Sequence, residues 1–194
     1  EMCIRDRYCA AARRLDADVV AATIGGHETA PLFEWLSQTP LVSPCAGGWC
    51  YHPILRQSLR GMAQRQSPEA FRTAHANLRA YYKRRLSGNA DEALYRDPQW
   101  RENTLESLYH GLMSGNDDAE CEGIELFLLA LRAYYALAGE VVLTWEQAAA
   151  EQSAPNAITD WAQTLKAGWR AFEEQNWNAI QDFCDLVAQR NDLS

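Results

Sequence analysis

Along this chain apolar residues recur mostly three and four positions apart, which predicts helices over most of its length. Leu15, Val19 and Val20 place a short helix over 16–23, closed by Gly25-Gly26. Leu32, Phe33, Trp35 and Leu36 place a second over 29–38. The period then changes. Leu41-Val42 and Trp49-Cys50-Tyr51 read as two short strands around a turn holding Pro44 and Gly47-Gly48, a small β-wing. Pro53 opens the next helix at a first position, where its missing N–H costs nothing. Ile54, Leu55, Ser58, Leu59 and Met62 form its apolar side, and Arg56, Arg60 and Arg65 line another. Ser67 caps a helix striped by Phe71, Ala74, His75, Leu78, Tyr81, Tyr82 and Leu86, stopped by Ser87-Gly88-Asn89. On that stripe His75 reads as a packing residue.

From Asp97-Pro98 onward the pattern is one of helical hairpins. Trp100, Leu105, Leu108, Tyr109 and Leu112 mark a helix ending at Gly115-Asn116. Asp117 and Glu120 have capping-box spacing before a run from Ile124 to Leu137 that is apolar nearly all round, so the central buried helix is expected there. Thr144 with Gln147 repeats the capping-box signal and predicts a short helix carrying Trp145. Ile158, Trp161, Leu165, Trp169 and Phe172 mark another, and Asn176 starts a last one with Ile180, Phe183, Cys184 and Val187. The fold class is therefore mainly α: a winged-helix-like unit with a small β-hairpin over 8–66, then hairpins over 67–194 that suggest an α-solenoid. The pair from Trp161 to Ala188 resembles a degenerate tetratricopeptide repeat (TPR), with Trp177-Asn178-Ala179-Ile180 and Phe183 near that repeat's small and aromatic positions.

Residues 1–7, Glu1-Met2-Cys3-Ile4-Arg5-Asp6-Arg7, resemble a translated library-preparation adapter and are expected to be non-native. On that reading the chain is a metagenomic fragment, native sequence begins near Tyr8, and both ends are truncated.

The 194 residues include seven Trp, eight Tyr and five Phe, enough large side chains for a real core. No apolar run approaches a membrane span: the longest, from Ile124 to Ala138, is interrupted by Glu125 and Arg132. The cysteines are scattered with no C-x-x-C pair, so a reduced, cytoplasmic protein is expected. Cys45, Cys50 and His52 offer three ligands on one hairpin where structural zinc wants four, and no metal site is assigned. The net charge of −8 is uneven: between Pro53 and Leu86 lie Arg56, Arg60, Arg65, Arg72, Arg79, Lys83, Arg84 and Arg85, with Glu69 the lone acid. That stretch fits nucleic acid, an acidic neighbour or nucleotide phosphates. The chain has no G-x-x-x-x-G-K-[ST] loop, no G-x-G-x-x-G turn and no nucleophile elbow. Nothing in it reads as catalytic, so it is not expected to be an enzyme by itself.

The segment Gly47-Gly48-Trp49-Cys50-Tyr51-His52-Pro53-Ile54-Leu55-Arg56 is the most informative, because it sets a histidine at the start of a helix, where free N–H groups favour anions. A structural histidine on a strand-to-helix turn is the plain alternative. The order Leu32-Phe33-Glu34-Trp35-Leu36, Thr39-Pro40-Leu41-Val42, Trp49-Cys50-Tyr51-His52-Pro53-Ile54-Leu55-Arg56 and His75-Ala76-Asn77-Leu78-Arg79-Ala80-Tyr81-Tyr82 resembles the winged-helix region of STAND-type signalling ATPases. These include MalT-like and LuxR-type regulators and NB-ARC proteins. The resemblance spans residues 11–82. It implies that His52 faces the phosphates of bound ADP, with Pro53 in place of the NB-ARC aspartate, and that Arg56 and Arg60 support an interdomain surface. It further implies a missing upstream nucleotide-binding core that uses ADP/ATP with Mg, and a protein or small-molecule inducer on the helical array. Two alternatives stand beside it. One is a winged-helix DNA-binding protein with a helical dimerisation region, for which the acidic remainder makes DNA an unfavoured partner. The other is a plain helical scaffold.

Overall fold

A computed structural model describes residues 7–25, 29–86, 93–152 and 157–189. Gly26, residues 87–89, the C-terminal residues 190–194 and all of the adapter-like start except Arg7 lie outside the described residues. The protein is mainly helical with one two-stranded antiparallel sheet, and it divides into two compact units, Glu1–Arg84 and Arg85–Ser194.

In the first unit, a helical turn over 7–9 leads into Cys9, Ala10, Ala11 and Ala12, all at most 1% exposed. Then come α1 (Ala17–Ile24), α2 (Ala30–Ser37), β1 (Val42–Cys45), β2 (Gly48–Tyr51), α3 (Pro53–Gln66) and α4 (Pro68–Arg84). The predicted boundaries rest on visible capping chemistry. Asp16 Oδ1 accepts from Val19 N at 2.7 Å, and Gly25 in the left-handed region (φ 68°) returns its N–H to Ala21 O, closing α1. Ser67 Oγ accepts from Ala70 N at 3.3 Å at the head of α4.

The hairpin pairs Val42 with Tyr51 and Cys45 with Gly48 around Ala46-Gly47. Leu15 adds a further antiparallel bridge, donating to Trp49 O at 2.7 Å and accepting from Trp49 N at 2.9 Å. α4 lays Phe71, Ala74, His75, Leu78 and Tyr82 against α1 and α3. Because α4 needs those two helices to cover its stripe, the first unit runs to Arg84 and does not stop at the expected 66/67 boundary.

The second unit opens with a 3₁₀ turn (Leu94–Arg96) and continues with α5 (Pro98–Ser114), α6 (Asp117–Ala133), α7 (Tyr135–Ala150), α8 (Ala157–Glu173) and α9 (Trp177–Ala188). Asp97 Oδ1 caps α5 by accepting from Gln99 N and Trp100 N, and Asn176 Oδ1 caps α9 by accepting from Ala179 N. Each helix packs on the next, and α7 also packs on α5.

Two expectations fail here for one reason. The apolar run from Ile124 is not one helix, and Thr144 starts none. The break falls at Tyr134 (φ −155°, ψ 88°), where Arg101 Nη1 donates to the Tyr134 hydroxyl at 3.2 Å and Arg96 and Arg101 lie over its ring. The neighbouring Tyr135 instead stacks on Trp169 and donates its hydroxyl to Trp169 O at 3.2 Å. Adjacent helical residues point about 100° apart. The one-residue break lets each tyrosine reach its own partner. The central buried helix is therefore α7, with Leu137, Val141, Val142 and Trp145 all fully buried, while Leu128 and Leu129 of α6 are exposed. Thr144 sits inside α7 and donates to Glu140 O at 2.9 Å, the back-bond of a helix-interior threonine. At the capping-box position read at Asp117, Asn116 and not Asp117 occupies the cap of α6 and makes no side-chain cap bond.

Three glycines explain how the hairpins close. A Cβ at Gly123 would stand 2.8 Å from Trp145 Nε1, one at Gly139 would stand 3.0 Å from the Trp169 ring, and one at Gly168 would stand 2.7 Å from the Phe183 ring. Thus α6, α7 and α8 each offer a glycine to an aromatic of the following helix. This repeated small-against-large fit lets consecutive helices approach closely.

Candidate functional site

The hairpin delivers His52 to the first turn of α3. The backbone N–H of His52 donates to Leu41 O at 3.3 Å, tying it to the end of the hairpin, and its side chain is exposed. It occupies the cap position of α3 without a side-chain cap bond, and Pro53 follows at the first helical position. Among the described residues the N–H groups of Ile54 and Leu55 have no backbone partner, as at any helix start. The chemistry available is an imidazole beside two outward N–H groups, a setting that suits an anionic oxygen.

The arginines expected to support an outward surface do something else. Arg56 turns inward: Nε donates to Ala12 O at 3.1 Å and Nη2 to Ala11 O at 3.2 Å. Ala11 and Ala12 are buried, and their carbonyls need donors that water cannot supply, so the guanidinium fork serves that need. Arg60 is only 6% exposed and belongs to the interior of the first unit. Of the predicted row only Arg65 is exposed. The apolar side of α3 is inverted in consequence. Ile54 is 71% exposed and Met62 40%, while Arg60 and Ala63 are the buried positions.

The centre of this arrangement is His75, read from the sequence as a packing residue and buried as expected. His75, on α4, is fully buried and lies edge-on to Phe71 with ring centroids 4.7 Å apart. Burial first, then the positive charges of Arg60 and Arg56, hold its imidazole well below the ordinary histidine value, so it is neutral at pH 7. In the unfolded chain the same group titrates near 6.5. Below that pH the unfolded chain takes up a proton that the folded protein refuses, so stability falls as pH falls. Stability is expected to be lower at pH 5 than at pH 7. Urea midpoints at the two pH values check this, and His75→Gln should flatten the difference. Parallel slopes in the two proteins would mean that His75 is not held neutral. The helical spacing of the stripe marked His75 as a packing residue, but spacing alone does not show that Arg60 and Arg56 come close to it.

Cys45 and Cys50 are joined by a disulfide across the hairpin, with Cα atoms 5.9 Å apart. The reading of these two as unpaired thiols is corrected. Five residues of separation look unrelated until the register is known. The ladder sets Cys45 opposite Gly48, which puts Cys50 one diagonal step away on the same face. Both sulfurs are thereby removed as metal ligands, and the cysteine argument for a reducing compartment is removed with them. Among the described residues Cys9, Cys121 and Cys184 take no part in a disulfide. No group of three or more potential metal ligands occurs among the described residues, and no helix there is long and apolar enough to cross a membrane.

Comparison with protein-family models gives no match. Comparisons with curated proteins and with solved structures also give none.

Proposed function

We propose that this chain is the regulatory part of a STAND-type ATPase: a winged-helix-like unit that senses bound ADP or ATP, followed by a TPR-like helical array that receives an inducer or protein partner. The observation that carries the reading is the exposed His52 at the start of α3, which has no side-chain cap bond, with the exposed Ile54 two residues on. The first feature suits a nucleotide phosphate. The second belongs to an apolar face, continued by Met62, that a neighbouring domain would cover. The order of a helical turn, a bridge at Leu15, two helices, a hairpin and a further helix supports the winged-helix-like reading. The glycine-to-aromatic fit between consecutive helices supports the repeat-like array.

In this reading hydrolysis, with Mg and ATP, belongs to an upstream core. His52 holds the ADP state, and nucleotide exchange releases the winged helix, biasing a two-state rearrangement. Arg56 and Arg60 act indirectly, by fixing the N-terminal segment and the buried side of α3. The helix in the position that reads DNA in helix-turn-helix proteins, α2, carries no Lys or Arg and one acid, Glu34, which speaks against a phosphate-backbone partner.

In the complete protein His52→Ala is expected to speed ADP release and raise basal signalling, measured as the dissociation rate of labelled ADP. Lost hydrogen bonds to a charged group correspond to roughly tenfold or more. An unchanged rate would remove His52 from the mechanism.

A further inference from the structure

In the second unit, α5 and α6 diverge to leave a cavity of about 190 Å³. Trp100, Thr104, Ser107 and Leu108 line it from α5, and Glu122, Glu125, Leu126 and Leu129 from α6, with Tyr95 of the 3₁₀ turn at its end. Both sets fall at helical spacing, so each is one continuous stripe facing the other helix. A stripe that serves only to join two helices would be apolar. These carry two hydroxyls and two carboxylates.

The hydroxyls are informative because the rest of the chain supplies a control. Helix-interior threonines elsewhere donate to the carbonyl four residues back: Thr23 to Val19, Thr73 to Glu69, Thr144 to Glu140 and Thr164 to Asp160, at 2.7–3.0 Å. Thr104 does not. Its Oγ1 is buried without a hydrogen-bond partner among the described residues. Ser107, 4% exposed, also lines the cavity. A buried hydroxyl left unpaired costs about 1–3 kcal/mol, and here one such group lines the cavity.

We propose that this cavity binds a small arylalkyl ammonium, a compound with one aromatic ring and a protonated amine. The volume exceeds the roughly 150 Å³ that is enough for a benzene-sized guest. Trp100 and Tyr95, with ring centroids 5.4 Å apart, and Leu108 and Leu126 supply an apolar lining for the ring. Glu122 and Glu125 are exposed and lie on the α6 side of the cavity, where a cation can sit without being buried. Thr104 gains a polar partner when the site fills. The site supplies a place for the inducer of the reading above, but it involves no residue of the first unit and does not depend on His52.

The test is titration of the whole chain with phenethylammonium and with the neutral 2-phenylethanol, followed by calorimetry and tryptophan fluorescence. Phenethylammonium should bind more tightly by about fivefold, the size of an exposed charge pair. Glu122→Gln with Glu125→Gln should remove that preference while leaving 2-phenylethanol binding unchanged. Thr104→Leu, which fills the cavity, should abolish binding of both, with circular dichroism confirming that the variant is folded. The proposal is overturned if neither compound binds at millimolar concentration, if both bind equally to the original chain, or if folded Thr104→Leu binds as well as the original. None of these outcomes bears on ADP retention, so the His52 reading stands or falls separately.

Discussion

Replacing Trp145 by alanine is expected to destabilise the second unit by about 3–5 kcal/mol, the usual range for deleting a buried tryptophan. Trp145 is the largest of the fully buried side chains, at 0% exposed, and lies in α7, the helix on which α5, α6 and α8 all pack. Its indole fills the gap left by Gly123, beside Leu108. Small residues cannot collapse around it, because the gap is set by close approach of α6 rather than by flexible side chains. Trp145→Phe should cost less, about 1–2 kcal/mol. It keeps most of the ring volume, and it removes an indole N–H that is buried without a hydrogen-bond partner among the described residues. Urea unfolding followed by far-ultraviolet circular dichroism checks both variants. A loss below about 1 kcal/mol for the alanine variant would show that the α6–α7 contact is not a packed core.

The second large effect is expected at Gly48. Its φ of 151° lies where side chains are strained, and a Cβ there would stand 2.6 Å from Leu15 O. That oxygen is backbone and accepts from Trp49 N, so it cannot turn aside as a side chain would. Gly48→Ala must shift either the hairpin or the Leu15 strand. It should cost about 2–4 kcal/mol, combining backbone strain with loss of the bridge. Gly115→Ala is the control: φ is 71° but nothing lies within 4 Å, so strain alone, about 1 kcal/mol, is expected. Amide exchange at Trp49 reports the bridge directly and should quicken in Gly48→Ala only. Because the same hairpin carries His52 to the start of α3, this variant also tests whether the site depends on the bridge.

These two positions show different degrees of legibility. Gly48 stands out in the sequence as part of a turn, yet the need for it comes from Leu15, thirty-three residues away. Trp145 is visibly an aromatic at helical spacing, but the Thr144-Gln147 pattern around it points to a helix start that does not exist. Local signals are ambiguous where a side chain has two uses: a threonine oxygen can cap a helix or bond back inside one, and only the helix's own neighbours decide.

The sequence by itself determined where most elements lie. Asp16, Ser67, Asp97 and Asn176 mark helix starts because a short polar side chain satisfies free N–H groups within a few residues, which is a local matter. A hairpin between Leu41 and Tyr51 and the place of His52 before Pro53 were legible for the same reason, although Pro44 and Gly48, read as turn residues, stand in β1 and β2. Tertiary structure decided what faces inward. Arg56 and Arg60 read as an outward basic row; Arg56 turned inward because buried carbonyls at Ala11 and Ala12 required donors from another part of the chain, and Arg60 is buried in the same unit. The break at Tyr134, the joining of Cys45 to Cys50 and the unpaired hydroxyl of Thr104 share that origin. Each depends on atoms distant along the chain or across a register, and the spacing of residues in one segment does not specify them.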